Sequence, residues 1–278
     1  MTDEPDAFDA AFEDALDLAV PESLAPEPEA VETPRMGVLA LSVDLLLRPA
    51  SAMSRLSEHP GRRWIWPLLA LLLVRVATVI AQTPARSRFQ QAVMQAQLAD
   101  QPGMDPQAMA GLQAAGGGAL GIITAVLAAL GVVFTVIVGA IVVAGILHFA
   151  GTVMGGQQSF QQVFTVTSWA HLPLVIGGIL QFAQALMGGF DPCPSGLAGL
   201  VCADPMDKEA TRSFLEPFLA QIELWNLWYL LLLAIGVMAV SKVSRRKAAA
   251  AVGVVVSLSI AAGLAGVALA RWAGETFG

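Results

Sequence analysis

The chain has 278 residues, of which 56% are hydrophobic and only 13% charged, with a mean hydropathy of +0.66. A soluble domain carries about 25% charged residues, so this composition excludes an ordinary soluble protein. The formal charge of −7 is uneven: residues 1–34 hold eleven acids and no Lys or Arg, which leaves +4 for the remainder, and the absence of a basic stripe interleaved with aromatics argues against nucleic-acid binding.

Residues 1–35 read as a disordered acidic tail, with Pro21, Pro26, Pro28 and Pro34 and few large apolar groups. Within it Phe8, Phe12 and Leu16 recur at helical spacing among acids. That pattern suits a motif that folds into a partner's groove, the alternative being a solvated tail with incidental periodicity. No cleaved signal peptide is recognisable, because the N-terminus is acidic and the first apolar run comes after about sixty residues.

Residues 36–63 form a separate segment. Val38, Leu39, Leu41, Leu45 and Leu46 precede Arg48-Pro49, and a mixed stretch ends at Pro60-Gly61. One or two helices lying against lipid headgroups are expected, with Arg residues facing anionic lipid.

Five apolar runs come next, at about 64–81, 119–147, 165–188, 223–241 and 248–270. Each is near the twenty residues needed to cross a hydrocarbon core about 30 Å thick. None alternates like a strand, and backbone in lipid must satisfy its own hydrogen bonds, so the spans are helices. The fold class is therefore all-α, a bundle of five transmembrane helices over 64–278.

Trp64 and Trp66 mark the interface at the start of the first span. Arg75 lies within that span, seven residues before Gln82, or about 10 Å below its edge. A charge at that depth is costly and usually paired or functional. Glu223 opens the fourth span from the same side, so an Arg75–Glu223 pair inside the bundle is one reading; Arg75 reaching alone to headgroups is the other. Residues 85–115 are rich in Gln, Ala and Met, and Asp105-Pro106 is a helix-start signal, so short helices are expected outside the membrane.

The second span begins after Gly116-Gly117-Gly118. GGGALG matches a dinucleotide fingerprint only formally, since no strand precedes it and a lipid-length helix comes after. His148 and His171 flank the next turn and suit titration or joint metal binding, or simple hydrogen bonding. Pro173 bends the third span, either as packing or as in transport helices. In the fourth, Trp225, Trp228 and Tyr229 read as an interfacial belt. In the fifth, Ala249, Gly253, Ser257, Ala261 and Ala265 recur every four residues and permit close helix approach, within the chain or to a second copy.

Charge sets the orientation. Arg35, Arg48, Arg55, Arg62 and Arg63 precede the first span, and Lys242, Arg245, Arg246 and Lys247 fill the last turn. The positive-inside rule puts both in the cytoplasm, hence the N-terminus inside and the C-terminus outside. Arg86, Arg88, Lys208 and Arg212 fall in outer loops but are sparser and mixed with acids. The only cysteines, Cys193 and Cys202, lie in an outer loop, where disulfides persist. A bridge there would add about 2–3 kcal/mol; two unpaired thiols are the alternative.

The stretch LHFAGTVMGGQQSFQQVFTVTSWAHLPLVIGGIL, at 147–180, resembles the central signature of Yip-domain membrane proteins, with its Gly-rich turn, Ser-Phe step and proline-bearing span. The stretch PFLAQIELWNLWYLLLLAIGVMAVSKVSRRKAAAAV, at 217–252, is similar to the bacterial branch at Glu223, Trp225, Trp228, Gly236, Ser241, Lys242, Ser244, Arg245 and Lys247. Arg48-Pro49 also fits. The resemblance covers about 40–270 and implies five spans with a cytoplasmic N-terminus, in a bacterial inner membrane. Eukaryotic members bind Rab GTPases, but their N-terminal motifs are not evident here, so that binding is not carried over.

No nucleophile elbow, metalloprotease helix or phosphate-binding loop occurs, and no catalytic residue, metal or cofactor is expected. The expected function is non-catalytic: organising a membrane assembly, with the acidic tail recruiting a soluble partner. A small-solute or ion transporter or channel and a lipid-binding or membrane-shaping protein are the alternatives. Expected partners are the bilayer, a soluble protein and a second copy of the chain.

Overall fold

In the computed structural model the described residues are 37–99, 119–188, 193, 196–202 and 213–277. The chain divides into Met1–Gly37 and Val38–Gly278, and every described helix belongs to the second unit. The tail with Phe8, Phe12 and Leu16, the Asp105-Pro106 signal and Gly116–Gly118 lie outside the described residues.

The described elements are helical, without a strand among them: α1 (Val38–Leu47), α2 (Pro49–Glu58), α3 (Ile65–Ala99), α4 (Ala119–Val153), α5 (Phe160–Ala170), α6 (Leu172–Leu186), a 3-10 turn (Gly196–Val201), α7 (Glu216–Leu219), α8 (Leu224–Ser241) and α9 (Arg245–Phe277). Five segments are long and apolar enough to cross a membrane: Ile65–Val93, Ile123–Val153, Phe160–Leu186, Leu224–Ser241 and Arg245–Ala273. Helices α3 and α4, at 35 residues each, are about 52 Å long and outrun the hydrocarbon core. The separate short helices expected from residue 85 are absent as far as Ala99, because α3 continues through Pro84. That proline lacks the N–H that an unbroken helix would use at this position.

The third span is the axis of the bundle. In its membrane-length window 67% of residues are buried, against 6% in the second span and 17% in the fifth. It is two helices rather than one, broken at His171, with Pro173 in the first turn of α6. Pro lacks the N–H for a continuous ladder, so the sequence expectation of a bend at Pro173 becomes a break two residues earlier.

Glycines let neighbours close on this axis. A Cβ at Gly177 would sit 2.6 Å from the Trp225 indole of α8, and one at Gly178 would sit 2.7 Å from Val74 Cγ1 of α3. Successive glycines thus seat a neighbour on each side of α6. One at Gly236 would sit 2.0 Å from Val166 Cγ1, so α8 crosses α5 with no room for a methyl. Lipid gives helices no hydrophobic reason to associate, and close van der Waals packing replaces it.

Helices α1 and α2 do more than lie on headgroups. Leu41, Leu45, Ala52, Met53 and Leu56 are buried in the core shared with Val166, Trp169, Leu232 and Leu233. Leu39, Val43 and Leu47, at four-residue spacing on α1, are exposed on the outward side. An Asp44–Arg55 ion pair ties the two helices. The N-terminus of α5 grips the connection between α2 and α3. Ser159 and Gln162 form a capping box, and Gln162 Nε2 also donates to Ser57 O at 3.0 Å. Gln161 Nε2 donates to Gly61 O at 3.2 Å. Polar side chains at the cap therefore satisfy backbone groups freed where α2 ends.

Gly236→Ala should lower the melting temperature in detergent, the overlap with Val166 costing about 1–3 kcal/mol despite the helix propensity gained. Gly253→Ala, with nothing within 4 Å of the added atom, should leave it unchanged or raise it. Equal melting of the two variants would contradict the close crossing.

Candidate functional site

The bundle has two ends of different chemistry. At one, Lys242 takes a left-handed conformation (φ 52°) and reverses the chain from α8 into α9. Arg245, Arg246 and Lys247 come directly after, all exposed. Lys247 Nζ donates to Met154 O at 3.0 Å, which staples this turn to the Gly-rich turn between α4 and α5. Gln158, buried, donates through Nε2 to His148 O at 3.2 Å. A Cβ at Gly151 would lie 2.1 Å from Gln158 Nε2 and 2.8 Å from Ser241 Oγ, and one at Gly156 would lie 2.2 Å from Gln158 Oε1. The glycines here make space for one amide side chain. Gln158 Oε1 has no hydrogen-bond partner among the described residues.

The histidines separate into different surroundings. His171 is in the core, its ring 4.8 Å from that of Tyr229, with Nδ1 bonded to Thr167 O at 2.7 Å. His148 meets Phe160 edge-on at 6.0 Å. Among the described residues no group of three His, Cys, Asp or Glu could hold a metal ion.

At the opposite end Cys193 and Cys202 form a disulfide, with Cα atoms 5.6 Å apart. The bridge closes on the 3-10 turn, which packs against α7, while a Cβ at Gly196 would lie 3.5 Å from Glu223 Cβ. Arg271, near the end of α9, stacks over the Phe214 ring at 4.1 Å. Between α7 and α9 is an open groove of about 390 Å³, bordered by Glu216, Pro217, Gln221, Ser259, Gly263 and Gly266.

Arg75 of α3 points toward α6. Its Nη1 donates to Gln181 Oε1 at 3.2 Å, so the direct partner is a neutral amide. Glu223 is near enough for its charge to act on the guanidinium. Beside it, Asn226 Nδ2 donates to Gln221 O at 3.0 Å and to Gln221 Oε1 at 3.1 Å, which orders the start of α8.

Several motif positions gain a physical role. Trp225 is half-buried and lies on Gly177; Gly236 is the crossing point with α5; Lys242 is the reversal and Lys247 the staple. Trp228 is partly buried against the core, and Arg245 is exposed. The stripe Ala249, Gly253, Ser257, Ala261 and Ala265 is exposed throughout. Within the chain α9 instead buries Ala248, Ala251, Val252 and Val255, and its close approach is at Gly263, where a Cβ would lie 2.7 Å from Pro217. Gln158 and Gln181 carry polar contacts and are marked in the sequence only by a Gly pair two or three residues before them, whereas Gln162 stands at the Ser-x-x-Gln spacing of a capping box.

A bundle with five apolar helices of spanning length, a basic turn at one end and a disulfide-closed cap at the other defines a multi-pass membrane protein. A Yip1 domain family model matches residues 43–268, and the chain belongs to that family. No curated protein and no solved structure matches it.

In detergent melting, a double-mutant cycle on Arg75→Ala and Glu223→Ala should show coupling, the double variant losing less than the sum of the singles. Simple additivity would mean the two charges act independently. Reducing the disulfide, or Cys193→Ser with Cys202→Ser, should cost about 2–3 kcal/mol, read as a lower melting temperature.

Proposed function

We propose that this protein is a non-catalytic organiser of a membrane assembly, which recruits a soluble protein through its acidic N-terminal tail. The observation that carries the reading is the filling of the bundle at its basic end. Helices α1 and α2 are inserted among α5 and α8, with Leu45, Ala52, Met53 and Leu56 fully buried. The cavity lined there by Leu147, Val163, Thr167 and Gly236 measures about 10 Å³, about the room of one water. Such packing favours a rigid platform over a solute path.

The basic end faces the cytoplasm in this reading, as the positive-inside rule requires, and the disulfide end faces the oxidising side. The membrane is a bacterial inner membrane. The exposed stripe from Ala249 to Ala265 suits a second copy of the chain, because small residues let backbones approach.

Native mass spectrometry after gentle extraction, with and without residues 1–34, tests the proposal. A protein partner present with the full chain and lost on removing the tail is the expected outcome. A lone chain or homo-oligomer in both cases would overturn it.

A further inference from the structure

We propose that Arg75 and Gln181 form a binding site for a phosphate group, carried by a phospholipid headgroup drawn into the leaflet at the disulfide end. The site stands apart from the organiser role and is built from different residues.

A guanidinium carries five N–H donors and cannot lose its charge in a protein. Among the described residues Arg75 has one hydrogen-bond partner, the neutral Gln181 Oε1 at 3.2 Å, and no carboxylate pairs with it within 4 Å. Water is scarce at this depth, so the remaining donors require acceptors. Arg75 and Gln181 are both only half-buried, so a ligand can approach.

Polar residues recur at the register positions of Arg75 on α3 and Gln181 on α6. On α3, Thr78 and Gln82 come after Arg75 at i+3 and i+7, the same helix face. On α6, Gln184 comes after Gln181 at i+3 and is exposed. Thr78 Oγ1 returns its proton to Val74 O at 2.8 Å, so Gln82 and Gln184 are the polar residues left with free side-chain groups at these register positions of α3 and α6. The seam between α3 and α6 is held at fixed width just below, where Val74 seats on Gly178. Val74 adjoins Arg75, and Gly178 precedes Gln181 by three residues, so guanidinium and amide are positioned before any ligand arrives.

Chemistry selects the ligand. Arg matches two oxygens of one phosphate through its planar fork, and phosphodiesters are the anions a bilayer supplies in bulk. The headgroup must descend, or the side chain rise, by about 10 Å from the level of Gln82, which snorkelling and local thinning allow.

The test uses the full chain, delipidated in detergent, with phosphatidylglycerol titrated in and bound lipid counted by native mass spectrometry. Diacylglycerol serves as the headgroup-free control and inorganic phosphate as a competitor. One tightly held phosphatidylglycerol is expected, weakened about tenfold or more by Arg75→Gln, less by Arg75→Lys, and unchanged by Gly253→Ala. Lipid held against millimolar inorganic phosphate supports the phospholipid source; displacement by phosphate supports the same site with the free anion as its ligand. Equal binding by wild type and Arg75→Gln, or equal binding of diacylglycerol, overturns the proposal. Should Arg75→Gln fail to melt cooperatively, Gln181→Leu carries the same comparison: weaker binding supports the site and unchanged binding overturns it.

Discussion

Close approach to the third span is the constraint on which this bundle depends. Between helices in lipid there is little hydrophobic gain, since a Leu leaves one apolar environment for another. What remains is dispersion, and that falls off within an ångström or so of ideal contact. Gly177, Gly178 and Gly236 remove the side-chain atoms that would hold α3, α8 and α5 apart. Trp225, Val74 and Val166 then fill the space. Only with those three contacts made does the axis become as buried as it is, and the outer spans, α4 and α9, can remain largely exposed to lipid.

The same axis organises the basic end. Because α4 ends at Val153 and the Gly-rich turn comes after it, α5 begins with its own N-terminus, and its first turn faces the connection from α2. The capping box of Ser159 and Gln162 satisfies α5, and the free amide hydrogens of Gln162 and Gln161 reach Ser57 O and Gly61 O. These bonds tie the end of α2 and the connection after it to the first turn of α5. Lys247 adds a second tie, from the α8–α9 reversal to Met154 O. An N-terminal segment that composition alone would leave at the membrane surface is in this way made part of the core.

The opposite end is built on different terms. There the chain is held by a covalent link at Cys193 and Cys202, by Arg271 over Phe214, and by the seating of Pro217 on Gly263. It leaves an open groove and a half-buried arginine.

By itself the sequence determined that this is an all-helical membrane protein with five spans, a member of the Yip1-domain family. Those properties come from run length and hydropathy, which act on each segment separately, and from motif spacing. The pairing of Cys193 with Cys202 was also legible, because the chain has only these two cysteines and both fall in one loop that the charge rule places outside. Which face of each helix meets which neighbour was not. The stripe from Ala249 to Ala265 has the spacing of a packing face yet is exposed, while Gly263 and Gly266 border the groove beside α7. The burial of Met53 and Leu56, the break at His171 and the choice of Gln181 as the direct partner of Arg75 were decided by tertiary structure alone. In lipid, polarity does not distinguish an inward apolar face from an outward one, so rotation about each helix axis is set by the shape of its neighbours.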